Sequence, residues 1–156
     1  KMLRKSLKNK KILEVGCGNG WLSNYLGATG IDINEFEVNQ ALRVFRGLRA
    51  LCGKIDSIEE RFDVIVFAAS IQYFQSFQEI INKSLKIAPE VHIVDSCFYS
   101  SDLTAEARRR SQEYYERLGF PEMAQYYFHH SLEDLNHFNY RILKEKKPFY
   151  WIKIIK

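Results

Sequence analysis

Cysteine is scarce in this sequence, and long apolar stretches are missing. Three cysteines are an odd number, and each lies in or beside an apolar run, which indicates buried thiols in a reducing cytoplasm rather than a disulfide framework. No two of them have the spacing of metal ligands, so we expect no metal site. No apolar stretch approaches the roughly 20 residues that a membrane-spanning helix needs, and no signal-peptide pattern is visible. We therefore expect a cytoplasmic protein without a membrane partner.

The remaining composition predicts one globular domain with a mildly basic surface. A chain of 156 residues is most simply one domain, 1–156, and 46% hydrophobic residues are enough to bury a real core. A net charge of +4 permits an acidic partner without requiring one. The basic residues at 1–11 are interpreted as a solvated, partly frayed terminus rather than a nucleic-acid-binding arm. A homodimer and a partner subunit are both left open.

The most informative segment is a glycine-rich turn between a short strand and a helix. The apolar run 12–15 predicts a buried strand, and residues 21–26 predict the start of a helix. Glycine at every second position between them leaves no Cβ in the way, so the backbone can turn sharply and lie against a ligand. The N–H groups at the start of the helix face the same space. The candidate binding residues of this loop are Glu14, Gly16, Cys17, Gly18, Asn19 and Gly20.

The spacing of these glycines distinguishes two classes of ligand. A dinucleotide-binding fingerprint is G-x-G-x-x-G, with a wider gap before its third glycine. Here the third glycine is Gly20, and Trp21 stands where that fingerprint has glycine. Glu14, two residues before the first glycine, would repel a pyrophosphate but suits a cationic amine. The spacing therefore argues against a nicotinamide-dependent oxidoreductase, which stays the less favoured alternative.

The run from Glu14 to Gly20, E-x-G-x-G-x-G, resembles motif I of the class I S-adenosylmethionine-dependent methyltransferases. In that family the loop holds the methionine part of the cofactor, which carries an ammonium and a sulfonium. Asp32, at the end of a second predicted strand, completes a G-[IVL]-D match that begins at Gly30. The resemblance implies that Asp32 accepts hydrogen bonds from the ribose hydroxyls and that Ile33 lies against the adenine.

Two further cofactor contacts are expected at the ends of later strands. The family often has an acid after the third strand that hydrogen-bonds the adenine amino group, and Asp56 is the candidate, with Ser57 beside it. Glu59 or Glu60 could take this role instead, and a plain surface turn is the alternative. Ala69 is expected to line the cofactor pocket, because ligands bind at the carboxyl ends of parallel strands.

Strands and helices alternate along the chain, which predicts a parallel sheet with helices on both faces. Predicted strands are 12–15, 29–33, 50–55, 62–68 and 91–95, followed by a hairpin of 140–143 and 149–155. Predicted helices are 21–26, 35–45, 77–87 and 103–118. This order matches the α/β fold that the resemblance implies: a Rossmann-like, seven-stranded, mostly parallel sheet with a C-terminal antiparallel hairpin.

The methyl acceptor is expected to meet the segment 120–139, a possible lid or substrate segment. Tyr127 can supply aromatic contact area, and His129 or His130 could remove a proton near neutral pH. Tyr73, after the fourth strand, is a further candidate for substrate contact and catalysis. The alternative is that the tyrosines pack a peripheral helix on the sheet while the histidines are solvated.

The sequence alone assigns neither the catalytic residues nor the methyl acceptor. Methyl transfer mainly requires alignment of nucleophile, methyl carbon and sulfur, so a general base is needed only when the nucleophile must lose a proton. The sequence has no Asn/Asp-Pro-Pro-Tyr tetrad and no Pro-Cys pair of the cytosine-C5 type. We therefore expect transfer from S-adenosyl-L-methionine to a small-molecule acceptor. The leading alternative is a catalytically silent, cofactor-binding subunit of a methyltransferase complex.

Overall fold

The computed structural model describes residues 2–156 and consists of an eight-stranded mixed sheet with helices packed around it. The strands are β1 (Ile12–Val15), β2 (Thr29–Asp32), β3 (Arg49–Cys52), β4 (Val64–Ala68), β5 (Glu90–Tyr99), β6 (His130–Ser131), β7 (Asn139–Lys146) and β8 (Phe149–Ile155). The α-helices are α1 (Met2–Ser6), α2 (Trp21–Leu26), α3 (Glu35–Val44), α4 (Phe77–Ile87) and α5 (Ser101–Leu118). Short 3₁₀ helices span Ile55–Ser57, Ile71–Tyr73, Pro121–Tyr126 and Leu132–His137.

The strand order confirms the predicted fold class. Seven strands follow the order β3-β2-β1-β4-β5-β8-β7, and the two-residue β6 pairs with the end of β5 beside this path. Strands β1 to β5 pair with one another in parallel, whereas β8 is antiparallel to both β5 and β7. The chain leaves β1 toward β2 on one side and later returns to β4 on the other, so the carboxyl ends of these strands border a crevice.

The core lies on both faces of the sheet because the central strands are apolar throughout. All five residues of β4 are apolar, and successive side chains point to opposite faces. Ile65 and Phe67 belong to the larger core cluster, with α4, whereas Val64 and Val66 belong to a second cluster on the other face. Among residues 2–156, no helix is both long and apolar enough to cross a membrane.

Several element boundaries differ from the sequence prediction. The third strand ends at Cys52, so Asp56 follows it in a 3₁₀ turn rather than at the strand end. Strand β5 continues four residues past the predicted end, because those residues pair with β6 and β8. The basic residues Arg4, Lys5 and Lys8 are exposed, as predicted for a solvated terminus, but α1 forms there and Leu7 is buried. Lys1, part of that predicted terminus, lies outside the described residues.

A partly buried charge cluster joins the N-terminal end of β5 to β8 and to the segment before β1. Glu90 accepts hydrogen bonds from Lys10 and Lys153, at 2.9 and 2.8 Å. Its other oxygen lies 2.7 Å from Nε2 of His92, whose Nδ1 accepts from Trp151 Nε1 at 2.8 Å. His92 is therefore a core histidine whose two ring nitrogens both have partners.

Candidate functional site

A cavity of about 940 Å³ opens at the carboxyl ends of β1, β2 and β4. Its wall includes Gly16 and Gly18 of the glycine loop, Asp32 at the end of β2, Asp56 of the 55–57 turn and Tyr73 after β4. The volume is in the range of small-molecule and cofactor pockets. The residues predicted at four separate places in the sequence are thus brought to one cavity.

The glycine loop is shaped by positive φ angles and by close contacts behind it. Gly16, Gly18 and Gly20 have φ angles of 76°, 48° and 73°, which side chains of L-residues rarely adopt. A Cβ at Gly16 would lie 2.6 Å from Cβ of Ser70, whereas a Cβ at Gly18 would meet no atom within 4 Å. The loop is therefore fixed against the end of β4, and its backbone at Gly18 is open to the cavity.

Asp32 is held at the cavity wall by two backbone amides. The N–H of Gly18 donates to Oδ2 at 2.8 Å, and the N–H of Asn34 donates to Oδ1 at 2.9 Å. Each carboxylate oxygen has a further lone pair, so Asp32 can still accept two hydrogen bonds from a ligand. This arrangement suits two adjacent hydroxyl groups.

Glu14 lies behind the loop rather than in the cavity wall. It is 3% exposed, and the hydroxyl of Ser23 on α2 donates a hydrogen bond to its Oε2. Burial raises the pKa of Glu14 to about 7, despite the opposing effect of the bond from Ser23. The side chain ties β1 to α2 and so supports the loop from the core side.

The other predicted loop residues also shape the loop from outside the cavity wall. Cys17 is buried, and burial raises its pKa to about 12. Asn19 accepts the backbone N–H of Trp21 at 3.2 Å. A Cβ at Gly20 would lie 2.7 Å from Ala41. Direct contact of these residues with a ligand stays a prediction.

One end of the cavity is formed by the 55–57 turn and by α4. Lys83 lies 2.8 Å from Oδ1 of Asp56 and 2.9 Å from Oε1 of Glu79, its neighbour one turn back on α4. Ile33 lines the cavity and is 73% exposed. Ser57 lies outside the cavity wall, and its hydroxyl donates to the carbonyl of residue 54. Glu79 and Lys83 were not predicted as site residues, because their i,i+4 spacing does not indicate that they border a cavity.

Another part of the cavity wall is formed by the segment that follows β4. Ala69, Ser70 and Tyr73 line it, and the φ angle of Ala69 is 49°. Ser70 donates its hydroxyl to the carbonyl of Val15 at 2.6 Å, which ties this segment to the glycine loop. Small side chains at 69 and 70 leave room beside the exposed ring of Tyr73.

The predicted substrate histidines are buried, and neither lines the cavity. His129 and His130 are 9% and 5% exposed, so the alternative that they are solvated is wrong. His130 Nε2 is 3.0 Å from the carbonyl oxygen of Ile71, which anchors the 71–73 turn. His129 Nε2 is 2.8 Å from the hydroxyl of Ser111 on α5, and its Nδ1 is buried without a hydrogen-bond partner among the described residues.

Aromatic contacts nevertheless connect His129 to the cavity wall. The ring of Tyr127 lies edge-on to Tyr73 at 6.0 Å, and 5.1 Å from the imidazole of His129. Burial lowers the pKa of His129, and Arg108 lowers it further, so the imidazole is neutral at neutral pH. Tyr73 therefore belongs to the wall, while Tyr127 and His129 form a second layer behind it.

Comparisons with known proteins agree with this fold. A malonyl-[acyl-carrier protein] O-methyltransferase of Priestia megaterium is 33% identical over 86 residues, which cover 48% of this chain and 31% of that relative. The match thus spans about a third of the relative's length. The plantazolicin methyltransferase BpumL, solved with SAH, is 17% identical with a TM-score of 0.69, covering 99% of this chain and 79% of its own.

A second solved structure has the same fold, and a family model covers nearly the whole chain. A Thermotoga maritima SAM-dependent methyltransferase, described as a possible histamine N-methyltransferase, is 14% identical with a TM-score of 0.68, covering 99% of this chain and 86% of its own. None of these comparisons supports the oxidoreductase alternative. The model described as "Methyltransferase domain" matches residues 6–152. The chain belongs to the methyltransferase domain family.

Proposed function

We propose that this protein binds S-adenosyl-L-methionine and transfers its methyl group to a small-molecule acceptor. The observation that carries the proposal is the placement of Asp32, held by two backbone amides at the wall of a large cavity beside the open glycine loop. Family membership and the methyltransferase relatives support the same activity.

The cavity wall offers a suitable surface for each part of the cofactor. The backbone at Gly16 and Gly18 would face the methionine part, and Asp32 would accept the ribose hydroxyls. The exposed side chain of Ile33 would cover one face of the adenine, whose amino group would point toward Asp56. Glu14 would act indirectly, by supporting the loop through Ser23.

The reaction requires alignment rather than activation. When bound, the cofactor supplies a methyl group on a sulfonium: the acceptor's electron pair forms the new bond to carbon while the carbon–sulfur pair stays on sulfur, leaving S-adenosylhomocysteine. The protein's part is to hold the two reactants in line and to exclude water. The open space beside Ala69 and Tyr73 is where an acceptor would lie.

The segment 120–139 is proposed as the wall on the acceptor side. Tyr127 packs on Tyr73, and the backbone N–H of residue 128 donates to the carbonyl of Gln72 at 2.7 Å, so the segment is tied to the cavity rim. The unpartnered Nδ1 of the neutral His129 could receive a proton from an acceptor if Tyr127 moved. Catalysis by Tyr73, His129 or His130 stays a proposal, and the acceptor stays unnamed.

Calorimetric titration with S-adenosylhomocysteine tests the cofactor site. We expect micromolar binding by the wild type and a loss of about tenfold or more in Asp32→Ala, because a hydrogen bond to a charged group contributes about 1.5–3 kcal/mol. Asp32→Asn keeps the size of the side chain and removes only its negative charge. Asp102→Ala is the matched control, because Asp102 is exposed on α5. A folded wild type that binds no S-adenosylhomocysteine would overturn the proposal.

Methyl transfer itself needs a separate assay. Incubation with S-adenosylmethionine carrying a tritiated methyl group, against pools of carboxylic acids, phenols and amines, distinguishes an enzyme from a silent cofactor-binding subunit. Labelled product that disappears in Asp32→Ala would support the enzyme.

We also propose a cytoplasmic location, which the three free cysteines support.

A further inference from the structure

Lys83 bridges two parts of the cavity wall, and its two ion pairs place it between α4 and the 55–57 turn. Its Nζ lies 2.8 Å from Asp56 and 2.9 Å from Glu79, and all three residues line the cavity. We propose that Lys83 is a positioning residue that aims the Asp56 carboxylate at the purine 6-position and thereby makes the site select adenine over hypoxanthine. The inference rests on the cofactor site proposed above.

The backbones on both sides of this bridge are fixed by buried side chains. Ile55, at the start of the 55–57 turn, is 4% exposed, and Ile80 and Ile81 of α4 are 4% and 0% exposed in the same core cluster. The turn and the helix are therefore held together without Lys83. Lys83 fixes the direction of the exposed Asp56 carboxylate on the turn.

Glu79 sets the position of the lysine ammonium from its own helix. Glu79 and Lys83 are one turn apart on α4, a spacing at which their side chains lie side by side. The ammonium is thus placed between two carboxylates and extends from α4 toward the turn. Because Lys83 binds Oδ1 of Asp56, the carboxylate presents its second oxygen in a defined direction.

The chemistry of that carboxylate discriminates between purine bases. The pKa of Asp56 is lowered, chiefly by its hydrogen bond with Lys83, so the group is ionised and can only accept hydrogen bonds. The 6-amino group of adenine donates hydrogen bonds, whereas the 6-oxygen of hypoxanthine is an acceptor. A carboxylate held at this position favours adenine and repels the oxygen.

Calorimetric titration of the full chain with two ligands tests this inference. S-adenosylhomocysteine is compared with S-inosylhomocysteine, in which oxygen replaces the 6-amino group of the purine. We expect the wild type to prefer the adenosyl ligand by about 10- to 100-fold, the range for one hydrogen bond to a charged group. Lys83→Ala should reduce this preference to about threefold or less, and Lys83→Arg should restore it.

Two further variants identify the cause of the effect. Asp56→Asn carries an amide that can donate to the 6-oxygen, so it should lose the preference or reverse it. Lys86→Ala removes an exposed lysine from the same helix, outside the cavity wall, and should keep the wild-type preference.

The outcomes separate this inference from the proposed function. Wild-type binding of S-adenosylhomocysteine with an unchanged preference in Lys83→Ala would overturn the role of Lys83 and leave the cofactor site intact. Equal weakening of both ligands, or weakening of the inosyl ligand alone, would also overturn it, because the lysine would then contact the ligand directly. A folded wild type that binds neither ligand would overturn both proposals.

Discussion

Replacing Glu14 by glutamine should remove one component of the pH dependence of stability. Glu14 is buried behind the glycine loop, and its pKa is raised from 4.5 to about 7 by burial. An acid with a raised pKa binds its proton more tightly in the folded state than in the unfolded state. Its contribution to the free energy of unfolding is therefore full below pH 4.5 and is lost as the pH rises through 7.

The size of this effect follows from the shift in pKa. One pKa unit corresponds to about 1.4 kcal/mol, so the rise from 4.5 to about 7 corresponds to an upper limit of about 3.5 kcal/mol lost between pH 4.5 and 8. Glutamine is neutral at every pH, and its side-chain oxygen can still accept the Ser23 hydroxyl. Glu14→Gln should consequently be more stable than the wild type above pH 7, and similar to it near pH 4.5.

Urea denaturation of both proteins at several pH values between 4.5 and 8 measures the difference. Burial lowers the pKa values of His92, His129 and His130, so their contributions rise with pH up to about 6.5 in both proteins. The gap between the two proteins, rather than either curve alone, therefore isolates Glu14. Parallel curves with a constant gap would show that Glu14 does not titrate in this range, and would refute the reasoning.

Three further predictions concern the loop, the charge cluster and the thiols. Gly16→Ala should lower the free energy of unfolding by about 1–3 kcal/mol in chemical denaturation, because φ is 76° and the new Cβ would lie 2.6 Å from Ser70. Burial opposes ionisation of Glu90, but hydrogen bonds from two lysines and a histidine outweigh it and lower the pKa of Glu90 to about 2. The contribution of Glu90 to stability should therefore be lost as the pH falls from 4.5 toward 2. Glu90→Gln should lose less structure over this pH range, as measured by circular dichroism. Iodoacetamide should modify exposed Cys52 well before buried Cys17, whose pKa is about 12, as mass spectrometry of a time course would show.

Each of these predictions has an internal control. Gly18→Ala has strained φ but no steric contact, so it should cost less than Gly16→Ala, and a larger cost would contradict the role of the Ser70 contact. For the charge cluster, wild type and Glu90→Gln losing structure at the same acid pH would show that Glu90 does not cause the acid sensitivity. Equal labelling rates at the two cysteines would mean that the glycine loop opens readily.

Features defined by local residue patterns could be predicted from the sequence. Helix α4 was predicted at its observed bounds, because its apolar residues recur at helical spacing and Pro89 follows its end. The strand, glycine loop and helix at 12–26 depend on equally local signals. Asp32 was predicted from its place at the end of a strand together with the G-[IVL]-D match to the family motif.

Features that depend on contacts between distant segments required the tertiary structure. Strand β5 extends to Tyr99 because of pairing with β6 and β8, which no local pattern of 96–99 reveals. His129 and His130 are buried where they contact α5 and the 71–73 turn, and these contacts join segments that are far apart in the sequence.

The sequence by itself determined the family, the order of strands and helices and the glycine loop, because periodicity and glycine spacing act within a few residues of chain. Only the tertiary structure decided which loop residues line the cavity and which support them from behind. It placed Glu14 against Ser23 and brought Lys83 to Asp56, 27 positions earlier in the chain. The physical reason is that the direction of a side chain and its charge partners depend on how the layers pack, which a sequence pattern does not encode.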